Sequence, residues 1–177
     1  MILDQNLIVL VENSFKDQLL SKNHLETIFS MPYFSLITVC LNAGDDLITT
    51  VNSVLRQTFT DFEIIVKDGY SNDSSLDKLP KDYRIKPVRK KDIGIYDAMN
   101  QALGLVSGKY LLLLNAGDIL YDSSVLQKIS DEIKKFPEFG LYYCDYKTTS
   151  IDKRVYSPKK LNSFNLFRNT LCHQCCF

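Results

Sequence analysis

The sequence lacks net charge, long hydrophobic runs and the basic beginning of a secretory signal. Its 177 residues include 21 Lys and Arg against 21 Asp and Glu. Nucleic-acid-binding domains normally carry a basic excess, so this balance argues against a nucleic-acid partner. Apolar runs such as residues 110–114 are far shorter than the ~18–20 residues that cross a bilayer. Asp4 and Glu12 precede the first basic residue, and the five cysteines occur without an export signal, which together predict a cytoplasmic protein.

Two common nucleotide-binding signatures are also absent. The sequence contains neither the G-x-G-x-x-G pattern of a dinucleotide-binding Rossmann site nor the G-x-x-x-x-G-K-[ST] pattern of a P-loop. The zero net charge nevertheless hides a pattern, because residues 41–77 are acidic whereas residues 84–91 and 147–168 are basic. Such runs are usually solvated faces, but a site that joins a metal ion to a phosphate would also bring acids and bases together.

From residue 34 onward, short apolar runs alternate with helical stripes. Runs rich in apolar and β-branched residues predict strands at 34–40, 62–66, 109–114 and 140–144. A further strand at 84–89 contains Pro87, which would confine it to a sheet edge or a strand end. Apolar residues at helical spacing predict helices around 47–55, 95–106 and 125–136. The alternation predicts an α/β fold with a mostly parallel sheet flanked by helices.

The first 32 residues stand outside this alternation. Val11, Phe15 and Leu19 are spaced for an amphipathic helix. We therefore expect residues 1–32 to form a helical N-terminal extension and residues 33–177 to form the domain.

Polar loops follow three of the predicted strands. They read Leu-Asn-Ala-Gly-Asp-Asp from residue 41, Lys-Asp-Gly-Tyr-Ser-Asn-Asp from residue 67 and Asn-Ala-Gly-Asp from residue 115. Open α/β sheets bind their ligands beyond the carboxyl ends of the strands. Turn formation alone accounts for these residue types in any single loop. Three such loops favour a site that holds a nucleoside diphosphate through a hard cation.

Five segments together resemble family 2 glycosyltransferases. They are Ser-Leu-Ile-Thr-Val-Cys-Leu-Asn at 35–42, Gln-Thr-Phe-Thr-Asp-Phe-Glu-Ile-Ile-Val at 57–66, Asp-Gly-Tyr-Ser-Asn-Asp at 68–73, Asp-Ile-Gly-Ile-Tyr-Asp-Ala-Met-Asn at 92–100 and Leu-Leu-Asn-Ala-Gly-Asp at 113–118. Their order and spacing agree with the family over residues 34–177. The Gly-Ile-Tyr-Asp-Ala-Met-Asn run and the later His173-Gln174 are most similar to the branch that makes bacterial polysaccharides.

The resemblance implies a GT-A fold, in which a Rossmann-like nucleotide-binding half precedes an acceptor-binding half. Because the sequence ends just after its His-Gln element, we expect a C-terminal truncation that leaves the acceptor half incomplete. By the same resemblance, the expected nucleotide-sugar-binding residues are Thr38, Leu41, Asn42, Asp68, Asp92 and Gly94. The first three would form a uracil pocket and its mouth, the fourth would pair with the nucleobase, and the last two would lie near the ribose or the diphosphate.

A metal site is implied at the loop after the fourth strand of the domain. Asp118 matches the last acid of the family's D-x-D element, and Asn115 stands where that element often has its first acid. The expected cofactor is a divalent ion, Mn²⁺ or Mg²⁺, which would neutralise the leaving diphosphate as a Lewis acid. Since an amide oxygen adds no negative charge, we expect weaker metal binding than with two carboxylates.

Two features depart from the family pattern. Tyr70 occupies a position that is often Gly, and Tyr would be strained there if the backbone has a positive φ. The acidic segment that supplies the general base in the family has no match in this sequence. Asp145 and His173 are the candidate substitutes, although Asp145 could simply end a strand and His173 could be a hydrogen-bonded structural residue.

The expected function is transfer of a sugar from a UDP-linked donor to a glycan or lipid-linked acceptor in polysaccharide biosynthesis. The basic segment 147–168, which includes Phe164, Leu166 and Phe167, predicts a peripheral contact with the inner face of a membrane. Two alternatives stay open. One is a non-catalytic or truncated relative that binds a nucleotide or a partner. The other is a nucleotidyltransferase, whose basic glycine-rich loop is not matched by residues 42–46.

Overall fold

A computed structural model describes residues 2–12, 31–148, 153–157 and 176–177, with the backbone alone for residues 2–12. Eight strands and three α-helices alternate along these residues. In chain order they are β1 (Ile2–Glu12), β2 (Phe34–Cys40), α1 (Asp45–Leu55), β3 (Phe62–Asp68), β4 (Ile85–Arg89), α2 (Ile95–Leu103), β5 (Tyr110–Leu113), β6 (Ile119–Leu120), α3 (Val125–Lys135), β7 (Phe139–Thr148) and β8 (Lys153–Val155).

The first sheet has the order β4-β3-β2-β5, and every pair in it is parallel. Cys40 stands opposite Asp68, so β2 and β3 end at the same level. β4 lies at the edge, as its Pro87 predicts, because proline cannot donate a ladder hydrogen bond to a further strand. The predicted α/β class with a mostly parallel sheet is confirmed.

Helices cover both faces of this sheet. Alternate residues of β2 divide between the faces, so that Leu36 packs in the cluster that contains α1 and α3, whereas Ile37 packs against α2. The three helices are amphipathic and only 9 to 11 residues long. In the part of the chain that the structure describes, no helix has the length and apolar character needed to cross a membrane.

A buried carboxylate closes the amino end of the first sheet. Glu63 accepts hydrogen bonds from the backbone N–H of Ser107 at 2.8 Å and from the hydroxyl of Ser35. It also forms an ion pair with Lys86. Burial by itself would raise the pKa of Glu63, but the hydrogen bonds from Lys86, Ser35 and Ser107 outweigh it and lower the pKa to about 2. Gly108 lies in direct contact with this network and donates to Ser35 Oγ at 2.8 Å.

The second sheet has the order β6-β1-β7-β8. β1 runs parallel to β6 and antiparallel to β7, with Leu10 opposite Tyr142. The helix expected in residues 1–32 is therefore wrong for Ile2–Glu12, while residues 13–30 lie outside the described residues. The apolar run 7–11 contains three β-branched residues, and β7 offers it a ladder of partners. This segment is part of a sheet of the domain.

Candidate functional site

The strand order reverses next to β2. From β2 the chain continues to β3 and β4 on one side, and it later returns to β5 on the other side. The loops after β2 and β5 therefore diverge at the carboxyl end of the sheet, which is where open α/β sheets form their binding crevice. Leu41 and Asn42 follow β2, and residues 114–118 follow β5. Both of these predicted site segments therefore begin at the carboxyl end of the same sheet.

Side-chain hydrogen bonds join the loop after β2 to the loop after β3. The backbone N–H of Asn42 donates to Ser71 Oγ at 2.8 Å, and Asn42 Oδ1 accepts from the N–H of Asn72 at 2.9 Å. The N–H of Gly44 donates to Asp73 Oδ2 at 2.8 Å. Hydrogen bonds from Ser75 and Gly44 hold the pKa of Asp73 below its ordinary value. Asn42 is exposed and fixes the two loops relative to each other, and its expected position at the mouth of a uracil pocket stays a prediction.

Asp68 organises the loop that follows it. Its side chain is fully buried, and its carboxylate accepts hydrogen bonds from the backbone N–H of Tyr70 at 3.2 Å and of Ser71 at 3.1 Å. The hydroxyl of Ser71 donates to it as well, and Arg89 Nε lies 3.3 Å from Oδ2. The expected pairing of Asp68 with a nucleobase stays a prediction. In this conformation the carboxylate presents no exposed oxygen to a ligand.

Tyr70 has the positive φ that the sequence analysis raised. Its φ is 73°, in the left-handed region that favours glycine. The ring is more than half exposed, and the Arg89 guanidinium carbon lies 5.1 Å from its centroid. A cation–π contact of this kind contributes about 0.5–1 kcal/mol at an exposed site. The contact offsets part of the cost of the backbone conformation.

A cleft of about 280 Å³ lies between the end of β2 and the start of α2. Three of the expected nucleotide-sugar-binding residues line it, namely Leu41, Asp92 and Gly94. Val39, Cys40, Ile95 and Ala98 complete the lining. Burial, together with the neighbouring Asp68, raises the pKa of the Cys40 thiol to about 12, so this wall of the cleft is uncharged. The cleft is therefore mostly apolar, with a single carboxylate at its side.

A buried lysine, which the sequence analysis did not single out, holds that carboxylate. Lys67 Nζ donates to Asp92 Oδ2 at 2.7 Å and to the carbonyl oxygen of Lys90 at 2.6 Å. Asp92 Oδ1 accepts from the N–H of Gly94 at 3.2 Å. A Cβ atom on Gly69 would lie only 2.8 Å from Asp92 Oδ2, so the backbone of β3's loop approaches the ion pair closely. The available signal was a lysine directly after the apolar run 64–66 and directly before Asp68.

Thr38, an expected nucleotide-sugar-binding residue, lies within β2 and inside the sheet. It is fully buried, and its hydroxyl has no hydrogen-bond partner within the described residues. β2 continues for two residues to Cys40, so Thr38 lies inside the sheet, on the side that Leu36 shares with α1. That Thr38 lines a uracil pocket stays a prediction, and in this structure its side chain does not reach the surface of the cleft.

The expected metal ligands lie in one tight loop after β5. The backbone N–H of Asp118 donates to the carbonyl oxygen of Asn115 at 2.9 Å, and the Asp118 residue is buried. Gly117, with a φ of 94°, donates to Thr50 Oγ1 at 2.9 Å, which ties the loop to α1. The carboxylate of Asp46 at the start of α1 lies 3.8 Å from the position of a Cβ atom on Gly117. Asp46 is a carboxylate beside this loop that the sequence analysis had not assigned to the site.

Asn115 and Asp118 carry oxygen atoms of the kind that a divalent cation binds. Asn115 Oδ1 is buried and has no hydrogen-bond partner in the described part of the chain, so it is an unused oxygen donor. Mg²⁺ typically binds one or two protein oxygens and completes its octahedron with water and substrate phosphates. Residues 31–148, 153–157 and 176–177 contain no group of three or more His, Cys, Asp or Glu that could hold a metal by themselves.

Of the two candidate bases, Asp145 lies within the described residues and His173 does not. Asp145 lies on β7, is almost completely buried, and accepts a hydrogen bond from the N–H of Ser157 at 2.8 Å. It therefore pairs with the backbone of a neighbouring segment and presents no surface to an acceptor hydroxyl. His173 lies outside the described residues, as do Phe164, Leu166 and Phe167 of the basic segment.

Comparisons with known proteins identify the family of this chain. Residues 35–177 match the model of glycosyl transferase family 2. A PGL/p-HBAD biosynthesis glycosyltransferase of Mycobacterium bovis is 35% identical over 153 residues, which are 82% of this chain and 59% of the relative. Chondroitin synthase of Escherichia coli is 29% identical over 77% of this chain and 22% of its own length. The chain thus spans well under two thirds of the length of these relatives.

Solved structures show the same fold. S. aureus TarS 1–349 in complex with UDP-GlcNAc has a TM-score of 0.52 and 24% identity, over 58% of this chain and 31% of that one. The Pyrobaculum calidifontis mannosyltransferase PcManGT in complex with GDP-Man and Mn²⁺ has a TM-score of 0.53 and 17% identity, over 58% of this chain and 32% of that one. The architecture is GT-A, and the chain covers part of that domain. With its family motifs gathered at the carboxyl edge of a parallel sheet, the chain belongs to the family 2 glycosyltransferases.

Proposed function

We propose that this chain provides the donor-binding half of a glycosyltransferase. It would hold a UDP-linked sugar whose transfer to a glycan or a lipid-linked acceptor serves polysaccharide biosynthesis. The observation that carries the proposal is the cleft between the end of β2 and the start of α2, where Leu41, Asp92 and Gly94 come together. TarS was solved with UDP-GlcNAc and PcManGT with GDP-Man, and both have this fold.

The walls of the cleft suit a nucleotide. Leu41 is more than half exposed and offers an apolar surface to a base, while Asp92 offers a carboxylate to ribose hydroxyls. The ion pair with Lys67 holds the Asp92 carboxylate in place before a ligand arrives. Such preorganisation lowers the entropy that binding costs. The hydrogen bonds of Asn42 with Ser71 and Asn72 serve the same purpose for the loops.

A divalent cation, Mn²⁺ or Mg²⁺, belongs to the same proposal. Asn115 Oδ1 and the Asp118 carboxylate would hold it, and the bound ion would neutralise negative charge on the leaving diphosphate. Because only one of these two donors is charged, the protein alone would bind the ion weakly and the diphosphate would supply the remaining ligands.

Titration calorimetry with UDP, in the presence and absence of Mn²⁺, tests the proposal. We expect Mn²⁺ to strengthen UDP binding at least tenfold, and Asp118→Asn to remove that gain. Asp131→Asn, on the exposed side of α3, is the matched control and should leave the gain unchanged. Absence of UDP binding under both conditions would overturn the proposal.

A transfer assay distinguishes the enzyme from a binding-only relative. Release of free UDP from UDP-sugars, with glycan and lipid-linked acceptors added, would support transfer. Metal-dependent UDP binding without any transfer would instead support a nucleotide-binding relative, a reading that the burial of Asp145 favours among the described residues.

A further inference from the structure

A basic and apolar surface lies beside the donor cleft. It consists of Lys90, Lys91, Ile93 and Tyr96, which we call the rim patch. All four residues are exposed, and Ile93 and Tyr96 are 97% and 74% exposed. Large apolar side chains are seldom left this open next to one another and next to free charges, so the patch indicates an interaction surface.

The charges of the rim patch are not compensated locally. Lys90 and Lys91 form no ion pair within the described residues. The two acids of the same segment point to other partners, since Asp92 pairs with Lys67 and Asp97 accepts from the backbone N–H of Ile93 at 3.0 Å and from Gln101. The outward side of residues 90–96 therefore carries positive charge and apolar bulk together.

We infer that the rim patch binds the surface of an anionic lipid bilayer. Lysines next to a membrane are attracted by anionic headgroups, and side chains such as Ile and Tyr insert at the level of the headgroups. Charge complementarity favours a bilayer over a second copy of this chain, because two identical basic patches repel each other. The segment is short and held by internal hydrogen bonds, so little conformational entropy is lost when it docks.

The position of the rim patch links it to the cleft. Gly94 and Ile95, which line the cleft, lie between Ile93 and Tyr96 along the chain. A bilayer seated on the patch would place the mouth of the cleft at the headgroup level. An acceptor carried on a lipid would then meet the donor without leaving the membrane. Only this last consequence rests on the proposed function; the membrane contact itself does not.

Vesicle co-sedimentation tests the inference with a matched control. The probes are vesicles of phosphatidylcholine alone and of phosphatidylcholine mixed with phosphatidylglycerol. We expect binding to the anionic vesicles only, a loss of roughly 25-fold for Lys90→Ser with Lys91→Ser, and a loss of at least tenfold for Ile93→Ser with Tyr96→Ser. Lys81→Ser with Tyr83→Ser removes similar exposed groups at the opposite end of β4 and should change binding by less than twofold.

A fluorescence measurement gives an independent answer. The chain contains no tryptophan, so Ile93→Trp introduces a single reporter and Tyr83→Trp a matched one. We expect a blue shift and quenching by brominated lipid for Ile93→Trp in anionic vesicles, and neither for Tyr83→Trp. Equal binding to both vesicle types, unchanged binding of the two double variants, or no blue shift at Ile93→Trp would overturn the inference. UDP titration of the same proteins separates that result from a failure of the proposed donor site.

Discussion

The ammonium nitrogen of Lys67 lies 2.7 Å from Oδ2 of Asp92, and the two side chains are 0% and 10% exposed. Removing one partner of such a pair leaves an uncompensated charge in the interior, which typically costs about 3–5 kcal/mol. We expect Lys67→Met to lower the free energy of unfolding by about 3 kcal/mol. Lys67→Met combined with Asp92→Asn should restore much of this loss, because no isolated charge remains. Urea unfolding of the four proteins measures the coupling, and additive effects would contradict it.

Tyr70 allows a test of backbone strain. Tyr70→Ala removes the ring contact with Arg89 but keeps a Cβ atom at a φ of 73°, whereas Tyr70→Gly removes both. The left-handed conformation costs a non-glycine residue about 1–2 kcal/mol. We therefore expect the Gly variant to be more stable than the Ala variant by about 1 kcal/mol in thermal unfolding. At a position with negative φ, Ala is more stable than Gly. A more stable Ala variant here would therefore show that residue 70 leaves the left-handed conformation when the ring is removed.

Gly108 is predicted to tolerate no side chain. A Cβ atom there would lie 2.7 Å from the backbone nitrogen of Ser35 and 2.8 Å from the carbonyl carbon of Phe34. Since the contacted atoms belong to a buried strand, we expect Gly108→Ala to destabilise the protein by about 2 kcal/mol or more. The control is Gly104→Ala, whose Cβ would meet no atom closer than 3.7 Å and should change stability by less than about 1 kcal/mol. Chemical denaturation of both variants provides the comparison.

Glu63 predicts a defined acid sensitivity. Its pKa falls from 4.5 to about 2 on folding, so its contribution to stability is complete above the unfolded value and is lost as the pH falls from about 4.5 to about 2. The shift corresponds to roughly 3 kcal/mol. We expect Glu63→Gln to be less stable than the parent protein at pH 7 and about equally stable near pH 2. A difference that is independent of pH in urea titrations would contradict this assignment.

Local sequence pattern was sufficient to predict most of the first sheet. The run at Phe34–Cys40 and the stripes of α1, α2 and α3 are determined by neighbours a few residues away, which a single sequence contains. Pro87 even predicted the edge position of β4, because a missing donor restricts a strand wherever it lies. β1 was missed because it pairs with β7, more than a hundred residues away, and a local sequence pattern does not identify so distant a partner.

The motif positions predicted which segments lie at the cleft better than they predicted the exposure of each side chain. Leu41, Asp92 and Gly94 do line one cleft, but Thr38 and Asp68 are fully buried. Residue identity indicates which chemistry is available, whereas exposure depends on how far a strand continues and on which groups of its own loop a carboxylate binds. The contact of Lys67 could not be predicted either, because its partner Asp92 lies 25 residues further along the chain.

The two sheets differ in how far apart their strands lie along the chain. The first is complete within residues 34–113, whereas Ile2 stands opposite Lys147 in the second. Contacts between residues far apart along the chain cost more chain entropy to form, and they form late in folding. The parallel sheet that carries the cleft can therefore assemble first. The first sheet then provides a surface on which β1 and β7, which are far apart along the chain, pair in a slower step.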